Sequence, residues 1–258
     1  MGVRQSFYAD PKVYDVLHTS GTALEVDGLE RIQHRFVGGR SPGVWLEPAC
    51  GTGRYLRVAA GRGRRVVGFD ASEEMVEYTR SRLARLGHAR RASVFVSDMT
   101  RFADRAPWRA DLAFNLINTI RHLETERSLR AHLREVARAL KPDGVYVIGM
   151  SVCAYGVEME SEDVWRARRG GLSVTQIVQY LPAAARDRVE RVVSHMIVKT
   201  STSERRIDSA YSLRAYSQSQ WLDAIAGSAM RLEAVVEEDG HDIEAPISGY
   251  ALYVLRPA

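Results

Sequence analysis

The sequence predicts an α/β protein whose mostly parallel sheet carries helices on both faces and is extended by a small antiparallel β insertion. Three observations predict it. Strands and helices alternate from Val44 to Ile148, as a parallel sheet with crossover helices requires. The run Val145-Tyr146-Val147-Ile148 is apolar on both faces, as a strand buried on both sides must be. After Cys153 the helical rhythm stops, and Val189, Arg191, Val193, His195 and Ile197 follow the two-residue period of a half-buried strand.

Taken in order, residues 11–36 read as helical with an interruption near Gly21, since Val13, Val16, Leu17, Val26, Leu29, Ile32 and Phe36 fall at helical spacings. A first strand, Val44-Trp45-Leu46, runs into Glu47-Pro48-Ala49-Cys50-Gly51-Thr52-Gly53, and a helix follows from about Gly53 to Ala60. The second strand is Arg65 to Asp70. Ser72 then caps a helix whose Glu73 and Glu74 favour the helix dipole and whose end Gly87 can turn left-handed. Ala92 to Asp98 and Asp111 to Ile117 are the third and fourth strands. The helix Arg127 to Leu140 puts Leu129, Leu133, Val136, Ala137 and Leu140 on one face, with Pro142 and Gly144 to stop it. Residues 172–181, 188–200 and 206–215 read as three strands with short connections, which favours antiparallel pairing. A helix from Ser217 to Ala226 and two last strands, Leu232 to Val236 and Ala251 to Leu255, return to the main sheet. The expected organisation is a core over residues 1–152, an insertion over 153–215, and a closing helix and hairpin over 216–258.

Composition narrows the function classes. The chain has 258 residues, 45% hydrophobic and 26% charged, which suits one large globular domain with a core. Its net charge of +4 invites a nucleic-acid reading, but 33 of the 36 basic residues are arginines scattered among 32 carboxylates. A phosphate backbone needs a concentrated basic face, so nucleic acid is disfavoured. Met1 to Asp10 lacks the apolar run of a signal peptide, and no stretch approaches a membrane span. With Cys50 and Cys153 as its only cysteines, the chain has no disulfide framework and no cysteine-rich metal site. The expectation is a cytoplasmic protein with no membrane and no metal; a homodimer is left open.

The chemistry concentrates at the strand ends. Gly51 and Gly53 let backbone approach a ligand closely, and the amides opening the next helix can hold an anionic group. A dinucleotide fingerprint would need a third glycine where Leu56 stands. Asp70, 17 residues after Gly53, is placed for the hydroxyls of a ribose, with Ala71 beside it. Asp98 is placed for an adenine amino group, with Met99 beside the ring and Met75 on its other face. Glu47 offers a carboxylate to an ammonium, while Ala49 and Cys50 complete the loop. Three carboxylates at the carboxyl ends of three successive strands, one fused to a glycine-rich turn, form a set suited to S-adenosyl-L-methionine (SAM).

The stretches LEPACGTGRYL, VVGFDASEEMV, VSDM and LKPDGVYVI resemble the class I SAM-dependent methyltransferases across residues 44–152, with Ala49 in place of the first glycine of their acidic loop. FYADPKVYDVLH, NTIRHL, the insertion and the closing GYALYVLRPA are similar to small-molecule N-methyltransferases of the aminosugar dimethyltransferase and glycine/sarcosine type. The resemblance implies a seven-stranded Rossmann-like sheet whose last strand is antiparallel, and methyl transfer from SAM, leaving S-adenosyl-L-homocysteine. It also implies that Tyr14 sits over the methionine end of SAM; an ordinary half-buried core tyrosine is the alternative. Asn115 and Leu116 close the cofactor set.

The acceptor pocket is expected beyond the fourth strand, with His122 and Asn118 as catalytic candidates. His122 titrates in the range of a general base, or else holds its loop by hydrogen bonds. Trp165, Arg166, Arg169, Tyr180, Arg214 and Tyr216 either line the acceptor or, for Arg166 and Arg169, form the solvated face of a short helix. Asn115-Leu116-Ile117-Asn118 lacks the Asn/Asp-Pro-Pro-aromatic run of nucleic-acid amine methyltransferases, and neither cysteine follows a proline as a cytosine-C5 enzyme requires. The expected function is methyl transfer to N or O of a small molecule. An RNA or protein methyltransferase, or a SAM-binding protein without turnover, are the alternatives on the same fold.

Overall fold

The computed structural model describes residues 10–38 and 43–258; Phe7, Tyr8 and Ala9 of the FYADPKVYDVLH stretch lie outside the described residues. Two N-terminal helices, α1 (Pro11–His18) and α2 (Thr22–Val37), precede the alternating part of the chain. That part runs β1 (Val44–Pro48), α3 (Arg54–Gly61), β2 (Arg65–Asp70), α4 (Glu73–Arg85), β3 (Ala92–Val96), β4 (Ala110–Asn115), α5 (Glu126–Ala139) and β5 (Leu140–Val152). Four strands follow, β6 (Ser161–Arg169), β7 (Leu172–Leu181), β8 (Val189–Lys199) and β9 (Glu204–Arg214), and then α6 (Gln218–Ala226), β10 (Met230–Val236) and β11 (Gly249–Pro257).

Local chemistry sets the helix starts. Asp10 accepts from the amides of Lys12 and Val13, with Pro11 preorganised for the first turn of α1. Ser72 accepts from Met75 N at the start of α4. Reciprocal caps, Thr125 with Ser128 and Ser217 with Gln220, open α5 and α6.

The main sheet has the order β10-β11-β5-β4-β1-β2-β3. Strands β1 to β5 are parallel, and β11 pairs antiparallel with both β5 and β10. The strand order reverses between β1 and β4, so their carboxyl ends open the crevice where sheets of this kind bind ligands. Helices cover both faces. Val26, Leu29, Ile32 and Leu56 pack on one, and Leu129, Leu133, Trp221 and Ile225 on the other.

The second sheet, β6-β7-β8-β9, is wholly antiparallel. Its inward residues Val174, Met196, Val198 and Ile207 pack on Val13, Val16 and Leu17 of α1. This cover has four strands where the sequence implied three. The missed strand, β6, is an edge strand exposed along nearly its whole length, so its charged residues leave no alternation to read. Arg166 and Arg169 therefore belong to a strand, which overturns the short-helix reading. Pro142 and Gly144 stand after the end of α5 and within β5, where the pairing shifts from Ala110–Leu140 to Leu112–Val145.

A buried carboxylate ties these layers together. Asp15 of α1 is fully buried and accepts from Arg57 of α3 at 2.6 Å, Tyr78 of α4 at 2.9 Å and Arg169 of β6 at 2.6 Å. Arg169 also donates to the Asp15 carbonyl at 3.1 Å. Burial alone would raise the Asp15 carboxyl; the Arg169 and Arg57 guanidiniums and the Tyr78 hydroxyl outweigh it and hold it at about 2.

Removing one partner of a buried ion pair costs about 3–5 kcal/mol because the other charge stays buried unpaired. Asp15→Ala should therefore shift urea unfolding by about that much. The folded value of about 2 lies below the ordinary 3.8. Stability from Asp15 is thus present above about pH 4 and lost as pH falls toward 2, and the variant should lack that part of the acid transition. Identical acid unfolding of parent and variant would contradict the assignment.

Candidate active site

The loop from β1 to α3 forms the floor of a cavity beneath the cover sheet. Three of its residues have left-handed backbone: Ala49 (φ 51), Gly51 (φ 50) and Gly53 (φ 65). Gly53 is required for space as well, since a Cβ there would collide with the Thr79 side chain. The loop is held from below: Cys50 N donates to Phe69 O, Gly51 N to Asp70 Oδ2 and Thr79 Oγ1 to Gly51 O, each at 2.8 Å. Arg57 donates to Thr52 O at 2.8 Å, which links the loop to Asp15.

Glu47, Ala49, Cys50, Gly51, Thr52 and Arg54 line the floor. Tyr14 and His18 of α1 form one wall, and Asn115, Leu116, Ile117, Asn118, Thr119 and His122 form the next. Trp165, Gln176, Val178, Tyr180, Tyr211 and Leu213 of the cover sheet form the roof.

The polar floor is incompletely satisfied. Glu47 Oε2, Thr52 Oγ1 and Asn115 Oδ1 are buried with no hydrogen-bond partner, while Asn115 Nδ2 donates to Pro48 O at 3.0 Å. Buried polar groups left unpaired are costly, so such a cluster on a cavity wall marks a place prepared for a ligand. Burial drives the Glu47 carboxyl well above its ordinary value, against the pull of Arg54 and with Asp70 adding to the rise. A cation beside it would restore the carboxylate. Arg54 is held by Glu25, the Tyr55 hydroxyl and, at 2.8 Å, Thr22 Oγ1. It lies over the Tyr55 ring at 4.0 Å.

Burial pushes the Tyr14 hydroxyl up to about 12, with Arg54 opposing. Its ring lies 4.4 Å from that of His18, which burial and then Arg54 bring down to about 4. Burial and Arg121 lower His122 below its ordinary 6.5, against Glu124, and its ring sits 5.6 Å from Tyr211. His122 is thus neutral at neutral pH and can accept a proton.

Of the residues singled out from sequence, Tyr14, Glu47, Ala49, Cys50, Gly51, Asn115, Leu116, Asn118 and His122 meet around this cavity. Gly53, Asp70, Ala71, Met75, Asp98 and Met99 do not line it. Asp70 uses Oδ2 on Gly51 N and Oδ1 on Ser72 N, and Ala71 is exposed. Met75 is almost fully buried. Asp98 is exposed and accepts from Thr100 N at 2.7 Å, and the half-buried Met99 has its carbonyl bonded to His132 at 2.9 Å. Asp70 and Ala71 lie at the end of β2, and Asp98 and Met99 just beyond β3. Of the cover residues named, Trp165 and Tyr180 line the roof; Arg169 is turned to Asp15 and Tyr216 packs against Trp221. Sequence reasoning missed Arg54, His18, Gln176, Val178, Tyr211 and Leu213. Arg54 had a signal, being a cation at the helix start directly after Gly53; the roof residues had none, because strand pairing brings them over the floor. Among the described residues no cluster of His, Cys, Asp and Glu could hold a metal ion, and no helix is long and apolar enough to cross a membrane.

Residues 46–144 match the family model of a methyltransferase domain. DesVI of Streptomyces venezuelae superposes with a TM-score of 0.73 at 22% identity, covering 96% of this chain and 98% of that one. CalS10 of Micromonospora echinaspora, described as an amino pentose methyltransferase with SAM bound, gives 0.68 at 19% identity over 100% and 99%. KedS8 of Streptoalloteichus, described as a sugar N-methyltransferase, gives 0.69 at 21% identity over 99% of each chain. At these identities the likeness shows a shared fold over the whole chain.

The unpartnered Glu47 makes a prediction that needs no ligand. Because its folded carboxyl is raised above 4.5, the fold binds that proton more tightly than the unfolded chain does. Stability from this site is full below about pH 4.5 and is lost as pH rises through the raised value. Glu47→Gln removes the loss, so thermal unfolding should show the variant more stable than the parent at about pH 7, with the gap closing as pH falls toward 4. A gap that does not change with pH would contradict the burial argument.

Proposed function

We propose that this chain, a methyltransferase in its domain and its fold, transfers the methyl group of SAM to a nitrogen or oxygen of a small-molecule acceptor held beneath the cover sheet. The observation that carries the reading is the pair of orphaned buried acceptors, Glu47 Oε2 and Asn115 Oδ1, where the floor of the cavity meets its wall. They suit the ammonium of the methionine end. The amides opening α3, with Arg54 beside them, suit its carboxylate. Tyr14 covers that end from α1. Asp70 and Ala71 are assigned to the ribose, and Asp98 and Met99 to the adenine, along the ends of β2 and β3, with the buried Met75 packed behind them. When bound, SAM supplies a methyl group on a good leaving group.

The protein's task is then to hold the acceptor in line and keep water away. The cover sheet over residues 153–215 excludes water, and His122, neutral and half-buried, takes the proton that the acceptor releases. Every roof residue is uncharged, which suits a small molecule and offers nothing to a phosphate backbone. The sugar methyltransferases among the similar structures favour an amine as the acceptor.

Incubating the purified protein with methyl-labelled SAM and fractionated metabolites should label a small amine or alcohol; label only in RNA or protein would refute the acceptor class. Glu47→Gln should weaken SAM binding by about 1.5–3 kcal/mol, the worth of a hydrogen bond to a charged group, and Asp70→Ala by about 1–3 kcal/mol. Calorimetry showing unchanged affinity in both would overturn the cofactor assignments. His122→Ala should slow methyl transfer by about 10²–10⁴-fold while leaving S-adenosyl-L-homocysteine affinity unchanged.

A further inference from the structure

The turn after β4 is strained. Ile117 (φ 53) and Asn118 (φ 60) are successive non-glycine residues in the left-handed region, and for a β-branched residue such as Ile117 that conformation is a genuine outlier. Strain of this kind persists only where the surroundings over-determine it. Here they do. Asn118 N donates to Gly149 O at 3.0 Å, Ser151 N donates to Asn118 Oδ1 at 2.7 Å, and Asn118 Nδ2 donates to Ser151 Oγ at 3.1 Å. From β11, the Tyr250 hydroxyl accepts from Ile117 N at 3.2 Å. Tyr250 pairs with Ser151 across the sheet, and its hydroxyl occupies the place where a Cβ on Gly149 would stand. Directly after the turn comes a single 3-10 turn, Thr119–His122, ending on the histidine of the cavity wall.

We propose that Tyr250, Ser151 and Asn118 are positioning residues, a clamp that holds the Ile117–Asn118 turn left-handed and thereby fixes His122 against the acceptor side of the cavity. Both ends of the Asn118 amide are engaged by Ser151, so Asn118 acts through the turn and not upon the acceptor. The inference deepens the functional reading, because it gives the His122 position its cause. Ile117 lines the cavity as well as carrying the strain, so the clamp restrains a residue of the cavity wall itself. The groups around His122 include Arg121 and Glu124 on its own segment and Tyr211 across on β9.

The test uses the full chain with ring-labelled histidine, the His122 resonance being assigned by its loss in His122→Gln. Tyr250→Phe and Ser151→Ala each remove one hydroxyl and keep the shape. Each should move the His122 titration midpoint upward toward 6.5 as the ring gains water, while S-adenosyl-L-homocysteine affinity stays within about twofold. Ser151→Thr keeps the hydroxyl and should leave the midpoint at the parent value. A merely structural role would lower the melting temperature and leave the His122 midpoint where it was. An unmoved midpoint in both single variants, or a Ser151→Thr midpoint that moves as far as that of Ser151→Ala, overturns the clamp. Failure of the parent to bind S-adenosyl-L-homocysteine would sink the functional reading and leave the histidine titration to judge the clamp separately.

Discussion

Four separate elements meet on one buried carboxylate. Asp15 joins α1 to α3, α4 and β6, and Arg57, one of its partners, also holds the carbonyl of Thr52 in the glycine-rich loop. The energy that seats α1 comes mainly from Val13, Val16 and Leu17, each worth roughly 1.5–3 kcal/mol when buried. An apolar patch could slide by a turn at little cost. A carboxylate that must meet two guanidiniums and a phenol cannot, because any other register leaves buried charge unpaired. The ion cluster therefore contributes little net stability compared with a hydrophobic replacement and much toward a unique placement. That placement decides where Tyr14 and His18 stand over the cavity floor.

From that anchor the site is built of groups that the fold keeps unsatisfied or strained. Glu47 and Asn115 carry orphaned oxygens, and Ala49, Ile117 and Asn118 hold left-handed backbone around the same cavity. Each such feature costs about 1–3 kcal/mol. The two aromatic and aliphatic layers on either side of the main sheet offset that sum, and β5, flanked by β4 and β11, supplies the rigid edge against which the strained turn is held. Floor and roof have distinct chemistry. The floor carries Glu47 and Arg54 and is short of partners. The roof is uncharged and aromatic, with Tyr180, Tyr211 and Trp165 offering area and hydroxyls.

Much of this was written into local sequence. The alternation from Val44 to Ile148 gave the parallel sheet, since a strand buried on both faces has little choice but an apolar run, and caps such as Ser72 and Ser217 marked helix starts because their oxygens replace missing backbone partners. The glycines Gly51 and Gly53 were legible because a tight left-handed turn from strand to helix excludes most side chains. Strand β6 was not legible: an exposed edge strand carries no burial pattern, and its pairing with β7 is what makes it a strand at all.

The sequence by itself determined the order of elements, the glycine-rich turn between β1 and α3 and the strand-end carboxylates, because each depends on a residue and its near neighbours along the chain. Only the tertiary structure decided that Arg169 turns inward to Asp15, that Tyr211 faces His122, and that Tyr250 restrains Ile117. Those pairs lie tens to more than a hundred residues apart, and no periodicity encodes them. They exist because sheet register and the packing of α1 bring distant side chains within hydrogen-bond reach, and the energy of a buried polar group depends on which partner it meets there.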